Sequence, residues 1–159
     1  MMLTKKLLNS FGLNNYINTI ILDIGDVNED GEYNVKDFLK LMEKKEELEK
    51  KTGIKKFDIC LMNPPYSQRH NNNPIHFQFV EKVLEIAEKQ IVIMPSKILH
   101  TTSENYNPWK EKFDKILLSA EELKSDVFEG TCMTDVAIYE FSNNKNTDNI
   151  KIKTLSSDK

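Results

Sequence analysis

The stretch FDICLMNPPYSQ, Phe57 to Gln68, constrains this chain more than any other. An apolar run, FDICLM, stops abruptly at Asn-Pro-Pro-Tyr. A proline cannot donate to a sheet ladder, and it pushes its predecessor out of the helical region. Two in succession therefore end a strand in a rigid, extended corner whose backbone carbonyls no neighbour needs. At that corner Asn63 offers an amide oxygen and Pro64 a carbonyl oxygen, and two convergent acceptors suit a planar NH2 group. Tyr66 adds an aromatic face for a flat ring, a contact worth about 1–3 kcal/mol per base. Asn63, Pro64, Pro65 and Tyr66 together can hold an exocyclic amine against an electrophile without a general base. A stiff turn with Tyr66 packed into the core is the structural alternative, and the placement at a parallel-strand end weighs against it.

That placement follows from the rest of the chain. Leu3, Leu7, Leu8 and Phe11 share one helical face in the segment Leu3–Leu13, stopped near Gly12. Asn18–Ile24, NTIILDI, reads as a buried strand, followed by a polar turn holding Gly25 and Gly31 and by a short strand at Glu32–Val35. Phe38–Lys51 is a solvated Lys/Glu helix ended by Thr52-Gly53. After strand Phe57–Met62, apolar positions 77, 80, 83, 84 and 87 predict an amphipathic helix over Phe77–Glu88. Gln90–Met94 is a strand stopped by Pro95, Pro108–Phe113 a short helix, and Lys115–Ser119 a strand. Val127–Thr134 turns around Gly130, and Asp135–Phe141 is a strand. The reading divides the chain into residues 1–143, one domain, and a polar tail, 144–159, with one weak alternation at Ile150–Ile152. Strands alternating with helices predict an α/β fold with a mostly parallel sheet covered on both faces, whose ligands bind beyond the carboxyl ends of the strands.

Charge narrows the class of partner. A net charge of -3 is not that of a chain that grips nucleic acid unaided, because phosphate neutralisation carries most of that affinity. Cys60 and Cys132 make no disulfide framework and read as buried reduced thiols of a cytoplasmic protein. No apolar run approaches the roughly 20 residues of a membrane span, and the first residues carry no signal-peptide pattern.

FDICLMNPPY resembles the catalytic motif of the S-adenosylmethionine-dependent amino-group methyltransferases, in particular the adenine-specific DNA methyltransferases of restriction–modification systems. HFQFVEKVLEIAEKQIVIMPSKIL is similar to their following helix, strand and "mPs" segment, and DVFEGTCMTDVAIYEF to the segment that carries a base-sandwiching aromatic. The resemblance implies a Rossmann-like methyltransferase sheet, DNA as substrate, and an adenine flipped out of the duplex. It implies that Asn63 and Pro64 accept from the adenine amino group, that Tyr66 stacks on one face of the base, and that Phe128 packs on the other. Upstream, KDFL resembles the segment that contacts the adenine of S-adenosylmethionine, mapping to Asp37 and Phe38, while Asp23 would take the ribose hydroxyls. The family's glycine-rich cofactor loop has no match in residues 1–17. The expectation is therefore a sheet missing its first strand, with a partner chain or a further segment supplying that loop and target recognition.

Only 14 residues separate Asp23 from Asp37, tight for a helical crossover between parallel strands. DVNEDGEYNVKD has a second reading, because Asp26, Asn28, Asp30, Asn34 and Asp37 fall at positions 1, 3, 5, 9 and 12 of a calcium loop with Gly31 at position 6. It resembles a single dockerin-type repeat. Turn chemistry alone also produces such acidic, Asn- and Gly-rich stretches, and no bound metal is expected. His70, His76 and His100 lack ligand spacing and read as surface or packing histidines. Arg69, Lys97 and Lys110 are isolated basic residues that sequence cannot rank as phosphate contacts. Two further functions share the corner: methylation of a glutamine side chain or an rRNA base, and a catalytically inactive remnant that serves as a binding or assembly subunit.

Overall fold

A computed structural model describes residues 44–66, 74–124, 135–145 and 149–155. The expectations for Leu3–Leu13, Asn18–Ile24, Glu32–Val35, Cys132, the loop from Asp26 to Asp37 and the turn at Gly130 lie outside the described residues.

Helix α1, Lys44–Thr52, carries Glu46 and Glu47 in its first turn, where they favour the positive end of the helix dipole. Gly53 ends it at φ 70°, its N–H donating to the Glu49 carbonyl at 2.7 Å, a left-handed cap that a residue without a Cβ adopts freely. Strand β1, Phe57–Met62, leads to the Asn-Pro-Pro-Tyr corner. Helix α2, Ile75–Val83, crosses to β2, Ala87–Pro95, which pairs parallel with β1. Helix α3, Lys97–His100, and a 3₁₀ turn, Glu104–Tyr106, lead to α4, Asn107–Ile116. Pro108 sits in the first turn of α4, where its missing N–H is not needed. Strands β3, Leu117–Glu122, β4, Val136–Ser142, and β5, Lys151–Lys153, complete a sheet of order β1-β2-β4-β3-β5.

The sheet is mixed. Strand β4 inserts between β2 and β3 and runs antiparallel to both, whereas β5 lies parallel to β3. This corrects the expectation of a mostly parallel sheet: antiparallel neighbours need no helical crossover, so strand–helix alternation along the chain does not report them. Residues Lys151–Lys153, in the stretch read as a polar tail, form the short edge strand.

One face of the sheet carries the core. Gln90, Val92 and Met94 of β2, Ala137, Tyr139 and Phe141 of β4, and Leu117 and Ala120 of β3 are buried there under Phe77 and Val80 of α2, Ile98 of α3 and Phe113 of α4. Phe77 is the hub: its ring meets His76 at 4.2 Å, Trp109 and Phe113 at 5.1 Å and Tyr106 at 6.0 Å between centroids. Those distances suit edge-to-face and tilted aromatic packing. On the other face, Ile59 and Leu61 of β1 are 49% and 71% exposed. Glu122, at the end of β3, accepts from the Leu155 N–H at 3.0 Å and pairs with His100, joining α3 and the chain beyond β5 to the sheet.

Candidate active site

The corner stands where the strand pattern places it, at the carboxyl end of β1 and beside the carboxyl end of its parallel neighbour β2. Asn63 is exposed, Pro64 is buried, and Pro65 and Tyr66 are half-buried. The Tyr66 hydroxyl donates to Asn63 Oδ1 at 2.9 Å. That bond fixes which edge of the amide carries the oxygen, and it uses one of the oxygen's two lone pairs. Among the described residues no other donor takes its second lone pair. Among the described residues no backbone donor takes the Pro64 carbonyl. Consecutive residues thus each carry an acceptor on a segment that two prolines stiffen.

A residue absent from the sequence-based list holds this corner from behind. His76, in the first turn of α2, is buried, and its Nδ1 lies 2.5 Å from the Tyr66 carbonyl oxygen. Burial drives the imidazole down to about 4, partly opposed by that hydrogen bond, so the ring is neutral at pH 7. A carbonyl only accepts, so Nδ1 carries the proton and donates it. The His76 ring also stands edge-on to Tyr66, with centroids 6.1 Å apart and planes at 79°. The sequence reading begins the helix at Phe77 and leaves His76 outside it, since one histidine beside a Pro-rich loop carries no periodic signal.

Beyond Tyr66 a cavity of about 480 Å³ opens, walled by Tyr66, His76 and Phe77 on one side and by Lys97, Asn105 and Tyr106 on the other. Pro95 and Ser103 also line it. Its volume falls within the range of small-molecule sites, and it lies against the strand ends where α/β sheets bind ligands. Tyr139, buried in β4, donates its hydroxyl to the Pro95 carbonyl at 3.0 Å and so anchors the end of β2 beneath this cavity.

The remaining predicted site residues, Asp23, Asp37, Phe38 and Phe128, lie outside the described residues, as do Asp26, Asn28, Asp30 and Asn34 of the calcium-type loop. Among the described residues no three His, Cys, Asp or Glu side chains are grouped to hold a metal ion, and no helix is long and apolar enough to cross a membrane. Cys60 is half-buried in β1, and burial raises its thiol above the usual range, so it is a packing residue with little thiolate character.

The model of the Eco57I restriction-modification methylase family matches residues 2–127. No curated protein matches the chain. Among solved structures, the methyltransferase subunit of a type I restriction-modification system from Streptococcus thermophilus is similar at a TM-score of 0.50 and 13% identity, over 62% of this chain and 26% of that one. A Listeria monocytogenes protein assigned to the class I S-adenosylmethionine-dependent methyltransferases is similar at a TM-score of 0.49 and 14% identity, over 64% of this chain and 38% of that one. The chain thus spans well under half the length of these structures. At such identity the likeness is one of fold: a mixed five-stranded sheet with helices, similar to that of the restriction-modification methyltransferase subunit.

Proposed function

The chain belongs to the Eco57I restriction-modification methylase family, and on that premise we propose that it is a DNA adenine N6-methyltransferase, or the catalytic part of one. The observation that carries this reading is the corner itself. Asn63 Oδ1, oriented by the Tyr66 hydroxyl, and the Pro64 carbonyl form a rigid pair of acceptors at a parallel strand end. An adenine amino group offers two N–H donors to such a pair. Accepting from both draws the nitrogen lone pair out of conjugation with the ring and makes it the nucleophile. No side chain has to act as a base, which fits a corner with no carboxylate or ionised histidine among the described residues; the proton that the methylated nitrogen loses passes to water. S-adenosylmethionine, when bound, supplies the methyl group on a sulfonium that is its own leaving group. Asp23, Asp37 and Phe38 are the residues proposed to hold it, and Phe128 is proposed to face Tyr66 across the flipped base. The net negative charge supports a further segment or a partner chain sharing the grip on DNA.

Transfer of labelled methyl groups to an adenine-containing duplex tests the proposal. Asn63→Ala should lower the rate by on the order of 100-fold, as loss of one fixed polar contact to the reacting group does elsewhere. Phe128→Ala should weaken binding of a duplex carrying 2-aminopurine at the target position, and unchanged binding removes Phe128 from the site. Absence of methyl transfer, together with no calorimetric binding of S-adenosylmethionine up to about 1 mM, would sink the enzymatic reading and leave an inactive remnant.

A further inference from the structure

The cavity beyond Tyr66 has a chemistry that the amine-holding corner does not use. Its lining among the described residues contains no carboxylate, although Asp and Glu outnumber Lys and Arg in the chain as a whole, 25 to 22. His76 in its wall is neutral, so the one charged side chain among the described lining residues is Lys97. Lys97 is exposed, and its Nζ lies 5.6 Å from the centroid of the Tyr106 ring. The ion pairs of the described residues engage Lys82, Lys89, His100, Lys112 and Lys153 but not Lys97. Lys110, by contrast, donates its ammonium to the Thr101 carbonyl, which holds it in the wall of the neighbouring turn. Ser103 and Asn105 add a hydroxyl and an amide to the same cavity. An ammonium resting over an aromatic face at an exposed site is weakly held and can be exchanged for an anion.

We propose that Lys97, with Ser103 and Asn105, forms a phosphate subsite for the nucleic-acid strand that carries the target base, with Tyr106 as its aromatic wall. The inference rests on the reading of the corner as the site of the flipped adenine. It assigns the adjoining volume to the sugar-phosphate backbone that must follow that base into the cleft. Base and backbone are then sorted to two sides of Tyr66: neutral acceptors for the amine, and a cation with polar donors for the phosphodiester. A backbone contact of this kind positions the strand and carries no sequence information.

Salt dependence is the test. Binding of a fluorescent, adenine-containing single strand by the full chain is measured as anisotropy across a series of salt concentrations. If Lys97 neutralises one phosphate, Lys97→Gln should weaken binding equally for all strand sequences. The slope of log K against log salt should then become shallower by about 0.7. Lys97→Arg should keep the wild-type slope, as should Lys110→Gln, whose ammonium is already engaged. Because Lys97 is exposed, an unchanged melting temperature in Lys97→Gln confirms that folding is not what changed. A wild-type slope in Lys97→Gln overturns the subsite, and so does a wild-type chain that binds no strand at any salt. Methyl transfer by the wild-type chain is read separately and decides whether the adenine reading falls with it.

Discussion

His76 links the corner to pH through a single proton. Its Nδ1 must donate to the Tyr66 carbonyl, and burial lowers it from an ordinary 6.5 to about 4. Between those values the unfolded chain binds more protons than the folded one, so stability rises with pH across that window. The contribution is complete above pH 6.5, and on the order of 3 kcal/mol of it is lost as pH falls to about 4. Urea midpoints should therefore fall less between pH 7 and pH 4.5 in His76→Phe than in the wild type; parallel falls would acquit His76. Gln90 sets the opposite problem. It is fully buried, with Nε2 donating to the Val80 carbonyl at 2.7 Å, while Oε1 has no partner among the described residues. An unpaired buried acceptor is unfavourable, and the Val80 carbonyl keeps the Leu84 N–H when Gln90 is removed. Gln90→Leu is accordingly expected to raise stability by up to about 1 kcal/mol in urea unfolding. At this scale the sequence located the Asn-Pro-Pro-Tyr corner, because a strand stopped by two prolines is a local pattern. It read His76 only as a surface or packing histidine and could not rank Lys97, because their contacts are made with residues about ten positions away.

Helix α2 does two jobs, and its sequence shows only one. Its apolar positions predict a core-facing helix, and Phe77, Val80 and Val83 are indeed buried. The expected end at Glu88 overshoots, because the helix stops at Val83 and β2 begins at Ala87. The residues between are bound in tight steps, Glu85 N–H to the Lys82 carbonyl at 3.1 Å and Ile86 N–H to the Val83 carbonyl at 3.0 Å. The Ile86 carbonyl then accepts from the Phe57 N–H at 2.8 Å, which starts the ladder with β1. Leu84 and Ala87 fit a helical stripe as well as a strand start, so spacing alone could not place the boundary. The second job is to carry Phe77 into the wall between α2, the 3₁₀ turn and α4. Phe77→Ala should destabilise by about 3–5 kcal/mol and lower the melting temperature by on the order of 10 °C in calorimetry. A drop of a degree or two would mean that Tyr106, Trp109 and Phe113 pack without it.

As a whole, the described residues form one mixed five-stranded sheet with the Asn-Pro-Pro-Tyr corner at its β1 edge. The alternation of strands and helices from Phe57 to Phe141 was enough to place the corner at a strand end, because each apolar run maps to one strand. The antiparallel insertion of β4 was harder to read, since pairing between strands far apart in sequence leaves no periodic trace along either one. Calcium at millimolar concentration is expected to leave the melting temperature unmoved, because a ligand of the folded state must raise it and no bound metal is proposed here. An upward shift would instead assign the Asp26–Asp37 loop as a metal site.

The order of the strands also governs when the corner becomes rigid during synthesis. Strand β2 is flanked by β1 on one side and by β4 on the other, and the second ladder joins residues 89–95 to residues 136–142. A chain growing on the ribosome reaches the Asn-Pro-Pro-Tyr segment well before it reaches β4. Until residue 142 has emerged, that segment lacks the β2–β4 ladder and the Tyr139 anchor for Pro95. Contacts so distant in sequence form late, because the intervening chain must first be ordered. A nascent or prematurely terminated chain therefore carries the residues of the corner without the frame that makes it one. The frame around the corner is complete only once β4 has paired with β2.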